Sequence, residues 1–140
     1  MKHQKIGILL LALFLGLCLA ARASEEKEVL AVEASKSWLA LVDEGKHSES
    51  WETAAEYFKN AVTKEQWERS LMAIRKPLGK VVSRKLKSKE YKTTLPGAPD
   101  GEYVVIQYVT SFENKKSAIE TVTPMLDKDS KWRVSGYYIK

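Results

Sequence analysis

The chain has 140 residues, 44% hydrophobic and 29% charged, with 23 Lys and Arg against 18 Asp and Glu. That length suits one modest core, and a lone cysteine, Cys18, excludes a disulfide framework and a multi-thiolate metal site. The net charge of +5 overstates the case for nucleic acid, because Lys2, Lys5 and Arg22 belong to an N-terminal segment whose removal leaves an almost balanced domain.

That segment comes first in the chain. Met1 to Lys5 is short and basic, Ile6 to Ala20 is almost purely apolar, and Ala21-Arg22-Ala23 is a small-x-small pattern before Ser24. This is the layout of a cleaved signal peptide over residues 1–23. The apolar run is shorter than the ~20 residues a spanning helix needs. Two alternatives stay open: an uncleaved anchor, and lipidation at Cys18, where Leu15 occupies a place that a lipoprotein signal gives to a small residue. The expected location is periplasmic or secreted. Membrane contact arises through this segment if it is retained, and residues 24–140 form a single domain.

The first half of that domain reads as three helices. Val29 to Glu44 spaces Ala31, Ala34, Ser35, Trp38, Leu41 and Val42 on one face and stops at Gly45. A second helix from about Ser48 carries Trp51, Ala54, Ala55, Phe58 and Val62. The third opens on Thr63-Lys64-Glu65-Gln66, a capping box in which threonine and glutamine side chains satisfy each other's backbone amides, with Val62 and Trp67 placed as a hydrophobic staple. Trp67, Leu71 and Ile74 continue its face until Pro77 ends it.

The second half alternates with period two. Val82 and Leu86 against Lys85 and Lys87 predict a strand with one wet face, and the parity change at Tyr91 predicts a bulge near Ser88 to Glu90. The loop TTLPGAPDG follows. Pro96-Gly97 suits a type II turn, and Pro99-Asp100-Gly101 suits a type I turn with a left-handed glycine. Tyr103 to Glu113 is apolar on both parities, as in a central strand. Asn114-Lys115 turns into Ser117 to Leu126, and Asp127 to Ser130 turns into Trp132 to Ile139. Pro124 predicts an irregularity within its strand. Helices followed by strands imply an α+β domain: three helices packed on a four-stranded antiparallel meander.

The strings VTKEQW, PLGKVVSRKL, LPGAPDGEYVVIQY, TSFENK, AIETVT and KWRVSGYYIK, in this order, resemble the bacterial domain-of-unknown-function family 4019 over nearly the whole domain. That family brings no established activity, cofactor or catalytic residues. The layout is also similar to the NTF2-like and cystatin-like folds. This resemblance implies a small-molecule pocket between helices and concave sheet, although the extra hairpin that NTF2-like domains usually have between their helices is missing.

Chemistry is sparse. His47, beside Ser48 and Ser50, is the one histidine of the domain and reads as a turn residue. Too few nitrogen or sulfur ligands remain for zinc, and Asp127-Lys128-Asp129 lacks the glycine and the acidic twelfth ligand of a calcium loop. No catalytic constellation, metal site or cofactor is expected. Tyr103, Tyr108, Tyr137 and Tyr138 combine apolar rings with polar tips and are the expected ligand contacts for a small molecule or peptide between helices and sheet. The alternative is an envelope protein–protein adaptor using Lys85, Lys87 and Lys89 on the basic strand. The same lysines equally serve as protection of a sheet edge.

Overall fold

The computed structural model describes the backbone from Gln4 and side chains from Gly16 onward. The basic segment Met1 to Lys5 and most of the apolar run after it therefore lie outside the residues whose side chains are described. Helix α1 (Gln4–Asp43) runs through Ala23 without a break. Gly16 to Ala23 are exposed, while Ala31, Ser35, Trp38, Leu39 and Val42 are buried against the rest of the domain. The helix ends where expected. Gly45 takes φ 76°, the Lys46 amide reaches Leu41 O at 2.9 Å and the Gly45 amide reaches Val42 O at 3.1 Å. These paired bonds form a Schellman motif that satisfies the final carbonyls.

The expected second helix is two helices, α2 (His47–Glu52) and α3 (Glu56–Ala61), so the described residues of the first half form four α-helices rather than three. The break has a tertiary cause. Ala54 and Ala55 are wholly buried, and the Ala55 amide donates to Val134 O at 2.8 Å on the last strand instead of continuing a helix. Helix α4 (Lys64–Arg75) carries the capping box: the Gln66 amide donates to Thr63 Oγ1, and the Thr63 amide donates to Gln66 Oε1. It gives way at Pro77 to a 3₁₀ turn, Lys76–Leu78. Its inward face differs from expectation. Trp67 and Leu71 are buried, Ile74 is exposed, and the third inward residue is Arg75, one helical repeat beyond Leu71.

Strands β1 (Val81–Lys92), β2 (Tyr103–Phe112), β3 (Lys115–Leu126) and β4 (Trp132–Ile139) form an antiparallel sheet in chain order. The chain is an α+β domain. One sheet face packs on the helices through Val104, Ile106, Tyr108, Val122 and Val134, joined by Ala31, Trp38, Leu39, Val42, Trp67 and Leu71.

Strand β1 departs most from expectation. Register shifts lie between Val81 and Ser83 and between Leu86 and Ser88, so the later bulge sits just before its expected place and an additional one precedes it. The earlier shift turns Val82 out, 67% exposed, and Leu86 is 46% exposed. In place of an apolar side chain, the first half of this strand sends Arg84 into the helix–sheet layer, and Tyr91 near its end packs on the core. The irregularity at Pro124 is present between Thr123 and Pro124, where Ser135 bulges and its hydroxyl donates to Thr123 O at 2.7 Å. In the connecting loop Gly97 is left-handed at φ 76°, and the Ala98 amide closes the turn on Leu95 O. Gly101 is not left-handed, and a Cβ there would lie 3.6 Å from the Tyr103 ring, an ordinary van der Waals contact, so neither the backbone angle nor crowding requires glycine at this position.

Candidate functional site

The polar interior centres on Glu120, which is 0% exposed in the apolar layer between helices and sheet. A charge there needs partners. Arg84 Nε donates to Glu120 Oε1 at 2.7 Å and its Nη2 to Oε2 at 3.2 Å. The Thr110 and Tyr137 hydroxyls donate to the same carboxylate. Arg84 turns its far edge to Asp43 at the end of α1, donating from Nη1 to Oδ2 at 2.7 Å and from Nη2 to Oδ1 at 3.1 Å. Asp43 also accepts from Arg75 Nη2 at 2.9 Å. Two guanidiniums and two carboxylates thus alternate from α4 through α1 to the sheet.

The environment shifts these groups as the geometry requires. Burial pushes the Asp43 carboxyl up, but Arg84 and Arg75 outweigh it and hold it below the ordinary carboxylate value. Burial, then the Glu120 charge, raises Tyr137 well above a free phenol. On the surface, Arg133 holds Asp129 down at about 2.

A carboxyl with a lower pKa folded than unfolded binds fewer protons in the native state. Its contribution is complete above the unfolded value of about 4 and is lost as pH falls through the folded value. The urea midpoint is therefore expected to hold from about pH 7 to 5 and to drop between about pH 4 and 2. The drop should be shallower in Asp43→Asn. A wild-type midpoint unchanged down to about pH 2 would contradict the pairing.

Arg75 stands out within the network. It is 9% exposed, its guanidinium carbon lies 5.0 Å from the centre of the Phe112 ring, and its Nε and Nη1 have no acceptor among the described residues. It forms part of the wall of an open hollow of about 610 Å³, shared with Val42, Asp43, Met72, Lys76 and Lys80. That volume falls within the usual range of small-ligand sites, about 300–1,000 Å³. His47 and Glu113 also line it.

The tyrosines expected to line a pocket do not converge. Tyr108 is buried and shares a hydrogen bond of 2.6 Å with Ser35 Oγ on α1. Tyr137, half-buried, points at Glu120. Tyr103 is buried under the loop, with its hydroxyl on Pro99 O. Tyr138 is 50% exposed, on the opposite parity to Tyr137. The lysines are divided too. Lys85 and Lys87 are exposed, whereas Lys89 is half-buried and faces Glu28 of α1 at 3.9 Å. His47 is half-buried at the start of α2.

The sequence reading missed Arg75, Arg84 and Glu120. A signal for two of them was present: Arg75 continues the Trp67–Leu71 spacing, and Glu120 occupies the inward parity of Ala118 and Val122.

A model of the family described as protein of unknown function, DUF4019, matches residues 34–137. The chain belongs to this family. Every member of the DUF4019 chain's charged network lies inside the matched span, whereas the Lys27–Glu102 pair that ties early α1 to the sheet end has its lysine outside it. Comparison with curated proteins and with solved structures gave no match.

Proposed function

We propose that residues 24–140 are an exported, non-enzymatic binding domain, related in fold to NTF2-like and cystatin-like domains. Its ligand is a small molecule held in the hollow where α1, α4 and the start of β1 meet. The observation that carries this reading is Arg75. A guanidinium nine-tenths buried, with two nitrogens lacking acceptors, is a costly group to place beside an open hollow unless something is received there. This reading places the ligand there rather than at the tyrosines, which do not converge and three of whose hydroxyls are engaged internally. The buried Glu120 and the partly exposed Asp43 are likewise held by guanidiniums, which favours binding over proton transfer. Export rests on the leader-like sequence and on the exposure of Gly16 to Ala23. No helix among the described residues is long and apolar enough to cross a membrane.

Native mass spectrometry of the protein purified from its own envelope tests this reading. A small-molecule adduct is expected on the wild type and not on Met72→Trp, which fills the hollow from a position already 55% exposed. Bare protein in both samples sinks it. The adaptor reading ranks second. It has exposed Lys85 and Lys87 on an edge strand in its favour, but the two irregularities in β1 disfavour strand addition.

A further inference from the structure

We infer that the hollow receives a small organic anion, with a carboxylate or phosphate head directed to Arg75 and an apolar body against Val42 and Met72. This rests on the binding reading above and adds the chemical class of the ligand. The first argument is the placement of internal acceptors. Asp43 already serves Arg75 and Arg84, and Glu120 serves Arg84, Thr110 and Tyr137. The two carboxylates are thus committed, while Arg75 Nε and Nη1 lack an acceptor among the described residues. A guanidinium donates only and stays charged, so the group that completes it is an acceptor, best an anionic one.

The second argument is the surround. Lys76 and Lys80 flank Arg75 around the hollow, giving three cations. The acids there are already turned to other work: Asp43 holds two guanidiniums, and Glu113 accepts the Lys80 backbone amide at 2.9 Å. Three cations against two carboxylates leave the wall net positive, so a cationic ligand would meet like charge, and a neutral one would leave the guanidinium as it is. The third argument is access. Nε and Nη1 of Arg75, a residue that lines the hollow, are buried, and the neighbouring lining residue Met72 is 55% exposed. An unbranched thioether on a helix surface can swing aside for a head group and then close on an apolar body.

Amide chemical shifts of Met72, Gly79 and Lys80 report binding to the full domain, with hexanoate, inorganic phosphate, hexylamine and hexanamide as probes. Saturable shifts with hexanoate, phosphate or both are expected, and the responding head identifies carboxylate or phosphate as the favoured source. Affinity should fall at least about tenfold in Lys76→Glu/Lys80→Glu, whose sites are exposed and tolerant, and in Arg75→Gln once its circular dichroism matches wild type. Hexylamine or hexanamide binding as well as hexanoate overturns the anion inference but leaves the hollow a binding site. Anion shifts unchanged in both variants also overturn the inference. No response to any probe at these amides overturns the inference and the binding reading together.

Discussion

Arg84→Met is expected to lower the free energy of unfolding by about 3–5 kcal/mol, the usual cost of removing one partner from a buried ion pair. The arginine side chain is 16% exposed and its partner Glu120 is 0% exposed. The methionine fills similar space, so little of the loss comes from a cavity. What remains is a carboxylate held by two hydroxyls, of Thr110 and Tyr137, without its cation. Asp43 loses one of its two guanidiniums at the same time.

If the cost is an unpaired charge, removing the charge should recover part of it. Arg84→Met/Glu120→Gln is expected to be more stable than the sum of the single variants implies, by about 1–3 kcal/mol of coupling. Urea denaturation followed by circular dichroism gives both quantities, provided the slope of the transition is unchanged. An Arg84→Met protein within about 1 kcal/mol of wild type would mean the pair is worth no more than a surface salt bridge.

The contrast between Arg84 and its neighbours shows what the sequence disclosed and what it withheld. Local signals were legible. The Thr63–Gln66 box, the Gly45 stop, the Pro77 stop, the Gly97 turn and the Pro124 irregularity each depend on a few adjacent residues, and each formed where expected. The order of strands followed from short connections between period-two runs. Features set by distant partners were not legible. Nothing near Ala55 announces that its amide will bond to Val134, 79 positions away in the chain, and break a helix. The bulge at Val82 takes that residue out of the alternation and turns it outward, whereas Leu86 keeps the inward parity of Arg84, opposite Tyr108, yet stays 46% exposed, so the alternation set the face of Leu86 without setting its burial. Within a run of lysines, the single arginine was indistinguishable from surface charge until a buried glutamate on β3 was placed opposite it. The tyrosines were correctly chosen as groups with a polar tip to satisfy, but their partners, Ser35, Pro99 and Glu120, come from three different segments.

Trp38→Ala is expected to cost about 3–5 kcal/mol, at the upper end for a large-to-small change in a core. Trp38 is 4% exposed, with its ring 6.0 Å from Trp67 and 5.3 Å, edge-on, from Tyr137. Its indole nitrogen donates to Ser50 O at 2.8 Å, and Trp67 donates to the hydroxyl of the same serine at 2.9 Å. One residue of α2 is thereby clamped between α1 and α4. Trp38→Phe separates the two contributions: it keeps an aromatic ring against Trp67 and Tyr137 but removes the indole N–H, and should cost about 1–2 kcal/mol plus a residual packing loss.

Because Trp38 also packs against Tyr137, which bonds to Glu120, its loss should couple to the charged network. Trp38→Ala/Arg84→Met is then expected to depart from additivity by at least about 0.5 kcal/mol, as contacting sites do. Additivity within about 0.3 kcal/mol would mean that the aromatic cluster and the ion network act as independent parts of the core. Alanine costing no more than phenylalanine at position 38 would remove Trp38 from the centre of the core.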